Sequence, residues 1–249
     1  GPRRSKFEFR WEALTAPYEI MTDGGGGYSW WTMPPGVRSY NAEEYIGFEK
    51  SEAMVMDTLF PPKTNHKNED DAASSRKIFD IVLGHSQGAI LTAALLSIRD
   101  DELWNASSRS DGRPLGYILN GVAWPNPHRR SLESLAAQKE QQQQQRTMGL
   151  ETCDKNNDTT SSSSPCTPRM LFVMGENDSI NPIESAVRVH DAFRTASDSD
   201  GAAVTIVKHN GGHSVPTGRD EDSARALDEI VDWILDIAKE KAERKGNSI

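Results

Sequence analysis

Three residues of this chain, each standing just past an apolar run, have side chains that together could break an acyl bond. They are the serine of Gly84-His85-Ser86-Gln87-Gly88, the aspartate of Gly175-Glu176-Asn177-Asp178 and the histidine of Gly211-Gly212-His213-Ser214. A serine hydroxyl is a weak nucleophile at neutral pH. It needs an imidazole to take its proton and a carboxylate to hold that imidazole in one tautomer. Ser86 is therefore the candidate nucleophile, His213 the candidate base and Asp178 the candidate orienting acid. The G-x-S-x-G pattern puts its serine at a strained strand-to-helix corner, where small residues let the helix pack back on its own strand. Its surroundings fit: Ile81-Val82-Leu83 precedes it, and a run rich in Ala, Leu and Ile follows. The first N–H groups of such a helix have no intrahelical acceptor, so the backbone N–H of Gln87 is the candidate donor to an oxyanion.

Other histidines compete for the role of base. His209 shares a loop with His213 but comes straight off the preceding strand, whereas paired glycines let the backbone turn His213 toward the serine, so His213 is preferred. His85 lies inside the corner, pointing away from Ser86, and reads as a packing or hydrogen-bonding residue. His66, His128 and His190 stand in polar or helical contexts and read as solvated side chains. No H-E-x-x-H or clustered His/Asp pair is present, so metal-dependent hydrolysis is not expected.

The elements that must position these residues alternate. An apolar/polar alternation over 7–14 predicts a strand, and Phe48, Val55 and Leu59 predict an amphipathic helix within 43–60. Strands are predicted at 78–83, 115–123, 170–174 and 203–207, and a closing helix carries Leu227, Ile230, Val231, Ile234 and Leu235 on one stripe. Asn181-Pro182-Ile183-Glu184 reads as an N-cap followed by proline at the first helical position, which leaves Asp178 free to face something else. The implied fold class is α/β: an open, mainly parallel sheet with helices on both faces, with function at the carboxyl ends of the strands. Between Gly24 and Trp31 a glycine run meets adjacent tryptophans. That stretch reads equally as a loop laying aromatic surface over something apolar or as an ordinary turn whose tryptophans enter the core. Trp30, Trp31 and Trp124 are the candidates for an acyl-binding pocket.

Two polar stretches, at about 62–77 and 128–168, read as insertions in a single domain spanning 1–249. The second holds a glutamine run and a serine run and should be removable at little cost, although a short helix around 132–145 is compatible with its composition. A net charge of −9 opposes binding to nucleic acid or to an anionic membrane surface, and no apolar run reaches the length of a membrane span. Cys153 and Cys166, the only cysteines, have no ligand-like spacing to histidine, so neither a disulfide framework nor a zinc site is indicated and a cytoplasmic setting fits. The oligomeric state is not legible.

The chain resembles the FSH-type serine hydrolases, a small esterase branch of the α/β-hydrolases. The resemblance runs through Ala16-Pro17, the glycine-rich loop with its tryptophan pair, Gly47-Phe48-Glu49-Lys50-Ser51, Gly84-His85-Ser86-Gln87-Gly88-Ala89, Gly175-Glu176-Asn177-Asp178 and Gly211-Gly212-His213-Ser214-Val215-Pro216. It implies hydrolysis of a small-molecule carboxylic ester or thioester through Ser86, Asp178 and His213, in the chain order Ser, Asp, His, without a cofactor. It also implies an internal strand ending in a Leu-His-Gly type loop that supplies a second oxyanion donor, and nothing here matches it. That strand would lie between the strands at 7–14 and 78–83, and the sequence, which opens Gly1-Pro2, is expected to be N-terminally incomplete. The rival expectation is a non-catalytic α/β-hydrolase-fold binding protein.

Overall fold

The computed structural model describes residues 8–22, 25–61, 78–103, 113–147, 168–197 and 203–246. A small antiparallel hairpin comes first, from β1 (Tyr18–Thr22) and β2 (Gly25–Ser29). Helix α1 (Phe48–Leu59) follows, then β3 (Ile81–His85) and α2 (Gln87–Ile98), with the single turn α3 (Asp100–Leu103) at its end. The remainder is β4 (Gly116–Asn120), α4 (Arg129–Thr147), β5 (Arg169–Gly175), α5 (Ile183–Ala196), β6 (Val204–His209) and α6 (Glu221–Gly246).

Strands β3 to β6 form one parallel sheet in simple sequence order. All five residues of β4 are buried and β5 is apolar along its middle, as a parallel strand covered on both faces requires. One face packs against α1, α2, α4 and α5 through Tyr117, Leu119, Met170 and Phe172. The opposite face, carrying Ile118, Leu171, Val173 and Val207, is covered by the apolar stripe of α6 through Ala226, Ile230, Trp233 and Ile237. The α/β reading, with helices on both faces of a parallel sheet, therefore holds. Among the described residues no helix is long and apolar enough to cross a membrane.

Several sequence expectations are corrected. Residues 8–15 form no strand; alternation alone provides no partner, and Trp11 is 75% exposed. The strand pair instead comes later, in the glycine-rich stretch that reads as a loop. There β2 is held by backbone pairing to β1 despite three glycines in a row, and Tyr18 Oη donates to the carbonyl of Gly47 at 2.9 Å. Among the described residues β3 pairs only with β4. Along its other edge, where the resemblance places an additional strand, lies a cavity of about 470 Å³ bordered by Trp11, Leu14, Trp30, Leu59, Val82 and Leu83.

The second polar stretch is also not a mere insertion. Its first half is helix α4, which packs on α5 and α2 with Leu132 fully buried and Leu135 nearly so. The glutamine run hides this because only a few apolar residues, at i and i+3, seat a helix whose average composition is polar. Residues 62–77, His66, Cys153 and Cys166 lie outside the described residues. If α4 belongs to the core, Leu132→Ala leaves a cavity and lowers the unfolding free energy by about 2 to 5 kcal/mol. Urea denaturation measures this, and a loss below about 0.5 kcal/mol, the level of a surface substitution, would mean that α4 is dispensable.

Candidate active site

The carboxyl ends of β3, β5 and β6 meet at one edge of the sheet. At the end of β3 the chain turns into α2 through Ser86, whose φ of 54° and ψ of −120° make it the one non-glycine residue with positive φ among the described residues. Such a conformation strains an L-residue and persists only where its surroundings impose it. Here the Ser86 N–H donates to the carbonyl of Asn120 at 3.0 Å, and the Ser86 carbonyl accepts from Ala89 and Ile90 as the first helical acceptor. Gly84 is required by close approach: a Cβ there would stand 2.6 Å from the Gly88 carbonyl oxygen and 2.7 Å from Ala89 Cα. Gly88 is different, because its Cβ would meet only the Trp30 Nε1 at 3.3 Å.

Asp178 follows β5 and His213 follows β6, in adjoining loops. The loops touch so closely that a Cβ on Gly175 would fall 2.1 Å from the Gly212 carbonyl oxygen. Of the paired glycines before His213, Gly211 is crowded, since a Cβ there would stand 2.7 Å from His209 Nδ1, while a Cβ on Gly212 would make an ordinary contact with the Asn177 carbonyl oxygen at 3.5 Å; neither has a positive φ. The Nδ1 of His213 lies 2.7 Å from Asp178 Oδ2 and its Nε2 lies 2.7 Å from Ser86 Oγ. The Asp178 side chain is 3% exposed and that of His213 14%. The other oxygen, Oδ1, accepts the backbone N–H groups of Ile180 at 2.8 Å and Asn181 at 2.9 Å. With Nδ1–H donating to Asp178, Nε2 of a neutral His213 carries a lone pair directed at the Ser86 hydroxyl. That arrangement can take a proton from the serine as its oxygen attacks.

The family model described as serine hydrolase (FSH1) matches residues 4–225. The chain belongs to this serine hydrolase family. A comparison with the curated proteins found no match. Among solved structures, one similar chain is the protein Atu2452 of unknown function from Agrobacterium tumefaciens str. C58. It is 16% identical, with a TM-score of 0.47, over 88% of this chain and 74% of that one.

Around this serine hydrolase geometry the remaining candidates separate. The Gln87 side chain has a structural task that the sequence does not disclose: its Oε1 accepts the Trp30 backbone N–H at 3.0 Å and ties the end of the hairpin to the serine corner. Its backbone N–H lies at the start of α2, beside Ser86. Trp30 lines the cavity along β3, next to Gly84, His85 and Gly88. Trp31 goes the other way, 1% exposed and stacked on Tyr45 with ring centroids 4.2 Å apart. Of the pair, Trp31 thus enters the core and Trp30 stays half-buried at the end of β2. Trp124 is 5% exposed, its ring covered by the Arg188 guanidinium at 3.7 Å, and its backbone N–H donates to Ser185 Oγ at 2.6 Å. Among the described residues no group of three or more His, Cys, Asp or Glu is arranged to hold a metal ion.

His85 Nδ1 accepts from the Asn120 side-chain amide at 2.7 Å, and its ring stands 5.1 Å from that of His213. Partial burial, and then the proximity of His213, hold its pKa below the ordinary imidazole range. His209 is buried and accepts the Gly211 N–H at Nδ1, away from the serine. His128 packs on Phe48, and His190, 7% exposed, meets Phe172 edge-on. The expectation that His128 and His190 are solvated is therefore corrected: His128 sits on Phe48 of α1, and His190, carried by α5, sits on Phe172 of β5.

Burial is the leading cause that lowers the pKa of His128, His190 and His209 as well. A histidine whose pKa is depressed in the fold binds its proton more readily when unfolded. Stability from these groups is thus fully present above the unfolded value near 6.5 and is lost as pH falls below it, through the depressed folded values. Thermal melting should drop as pH is lowered from about 7.5 to about 5.5, and His190→Gln should flatten that dependence. A melting temperature that rises on acidification would contradict this sign.

Proposed function

We propose that this serine hydrolase cleaves carboxylic esters or thioesters through an acyl-enzyme on Ser86. The single observation that supports the reading best is the unbroken relay from Ser86 Oγ through both nitrogens of His213 to Asp178 Oδ2, at 2.7 Å on each side. Ser86 Oγ attacks the acyl carbon while His213 Nε2 takes the hydroxyl proton, and Asp178 holds the resulting imidazolium in place. The carbonyl oxygen becomes an oxyanion, and the Gln87 N–H at the start of α2 is our candidate for one donor to it, aided by the positive end of the helix dipole. As the tetrahedral intermediate collapses, His213 passes its proton to the departing alcohol or thiol. Water then repeats the sequence in reverse on the acyl-serine, releasing the acid and restoring Ser86.

No cofactor enters these steps, and the substrate is a small molecule. Trp30 is our candidate for contact with the acyl chain, supported by its place at the serine corner, where its backbone N–H donates to the Gln87 side chain and its ring nitrogen would lie 3.3 Å from a Cβ on Gly88. A cytoplasmic setting belongs to the same proposal, supported by the presence of only two cysteines in the chain.

Ser86→Ala should abolish labelling by a fluorophosphonate probe and lower turnover of a p-nitrophenyl ester by about a thousandfold or more, with His213→Ala comparable, because such groups act as a unit. Circular dichroism should stay native, and chelators should leave the parent's activity untouched. Ester hydrolysis at the parental rate by Ser86→Ala would refute the mechanism, whereas a parent protein that takes up no probe and turns over no ester would favour a non-catalytic binding protein.

A further inference from the structure

Behind the imidazole lies a contact that the relay itself does not use. The chain leaves β4 through Gly121, whose φ is +59°, a conformation that favours glycine. A Cβ built there would stand 3.0 Å from His213 Cε1 and 3.1 Å from His213 Nδ1. The backbone of Gly121 is thus the back wall against which the imidazole rests. That wall is held from two sides: its N–H donates to the carbonyl of Val173 on β5 at 3.0 Å, and its carbonyl accepts the Asn181 side-chain amide at 2.7 Å. Asn181 is 6% exposed. Its own backbone N–H is one of the two donors to Asp178 Oδ1.

From this we infer that Asn181 is a positioning residue: through its two N–H donors it locks the carboxylate of Asp178 and the Gly121 wall together, so that His213 is gripped between them. The inference rests on the Ser86–His213–Asp178 reading above. Its physical logic is one of geometry. An imidazole that must accept from a serine and donate to a carboxylate at once has little freedom to slide, and proton transfer is steeply sensitive to misplacement. The carboxylate fixes one edge of the ring through Nδ1. A surface packed against the ring limits rocking about that hydrogen bond, and Gly121 supplies such a surface beside the nearby ring of His85. The Asn181 amide sets the height of the wall relative to the acid because both bonds leave one residue. Its nitrogen, not its oxygen, must face the carbonyl of Gly121, so aspartate of the same shape cannot replace it: a carboxylate there would oppose the carbonyl dipole.

Asn181→Ala removes the side-chain donor and leaves the Gly121 carbonyl unpaired, Asn181→Asp reverses the polarity at constant shape, and Gly121→Ala pushes on the ring directly. The three variants and the pair Asn181→Ala with Gly121→Ala would be assayed with a p-nitrophenyl ester. Turnover would be counted per active site titrated with a fluorophosphonate, and labelled residues located by peptide mapping. We expect kcat per titrated site to fall by about ten- to a hundredfold in each single variant, the scale of a small misplacement of reacting groups, with KM changed by less than about threefold. The double variant should lose less than the product of the two single losses, because both act on the same ring. A role confined to folding would reduce the number of titratable sites and leave kcat per site within twofold of the parent, which overturns the inference while the serine mechanism stands. A parent protein labelled elsewhere than at Ser86 would overturn both.

Discussion

Everything at this site depends on one imidazole making two hydrogen bonds in opposite directions. Because the ring of His213 is rigid, the distance between Ser86 Oγ and the Asp178 carboxylate is not adjustable, and the fold has to supply it. It does so through strand register. In the parallel sheet His85 stands level with Asn120, Asn120 with Val173, and Gly175 with His209. The three functional loops therefore leave the same edge within a few residues of one another. The sheet is buried on both sides over its middle strands, so a slip of register would expose apolar residues and is strongly opposed.

The same edge explains why two residues with no chemistry of their own sit so close to it. Asn120 accepts the Ser86 N–H on its carbonyl and bonds His85 through its side chain, while Gly121 backs His213. The end of β4 is thus wedged between the serine corner on one side and the acid loop on the other, although neither residue is in the relay. Strain at Ser86 is maintained by this packing, since the conformation is unfavourable in isolation and the surrounding bonds over-determine it.

Much of the relay was legible in sequence because each part combines a local signal with a strand ending. Gly84-His85-Ser86-Gln87-Gly88 carries the glycine demanded by the Gly84 to Ala89 contact, and the apolar run of β5 points straight at Asp178. His213 is preferred to His209 because paired glycines precede it and His209 comes straight off the strand; in the structure His209 is the last residue of β6 and its ring accepts the Gly211 N–H. What was not legible depends on partners far away in sequence. The three glycines of β2 have poor strand propensity, and only pairing with β1 and the Trp30 anchor on Gln87 makes them a strand. The alternation read over 7–14 finds no pairing strand among the described residues. In α4 two leucines outweigh a polar average, and Asn181, readable as a helix cap, turns out to bond across to Gly121 through a contact no local pattern encodes.

The account stands or falls on covalent chemistry at one serine. The most direct measurement is to mix the protein with a p-nitrophenyl ester, quench in acid during turnover, and read the intact mass and the peptide map. The account predicts a transient mass increment equal to the acyl group, located on Ser86 and lost as the substrate is exhausted. Sustained ester turnover with no acylated protein, or with the acyl group on any other residue, would contradict it.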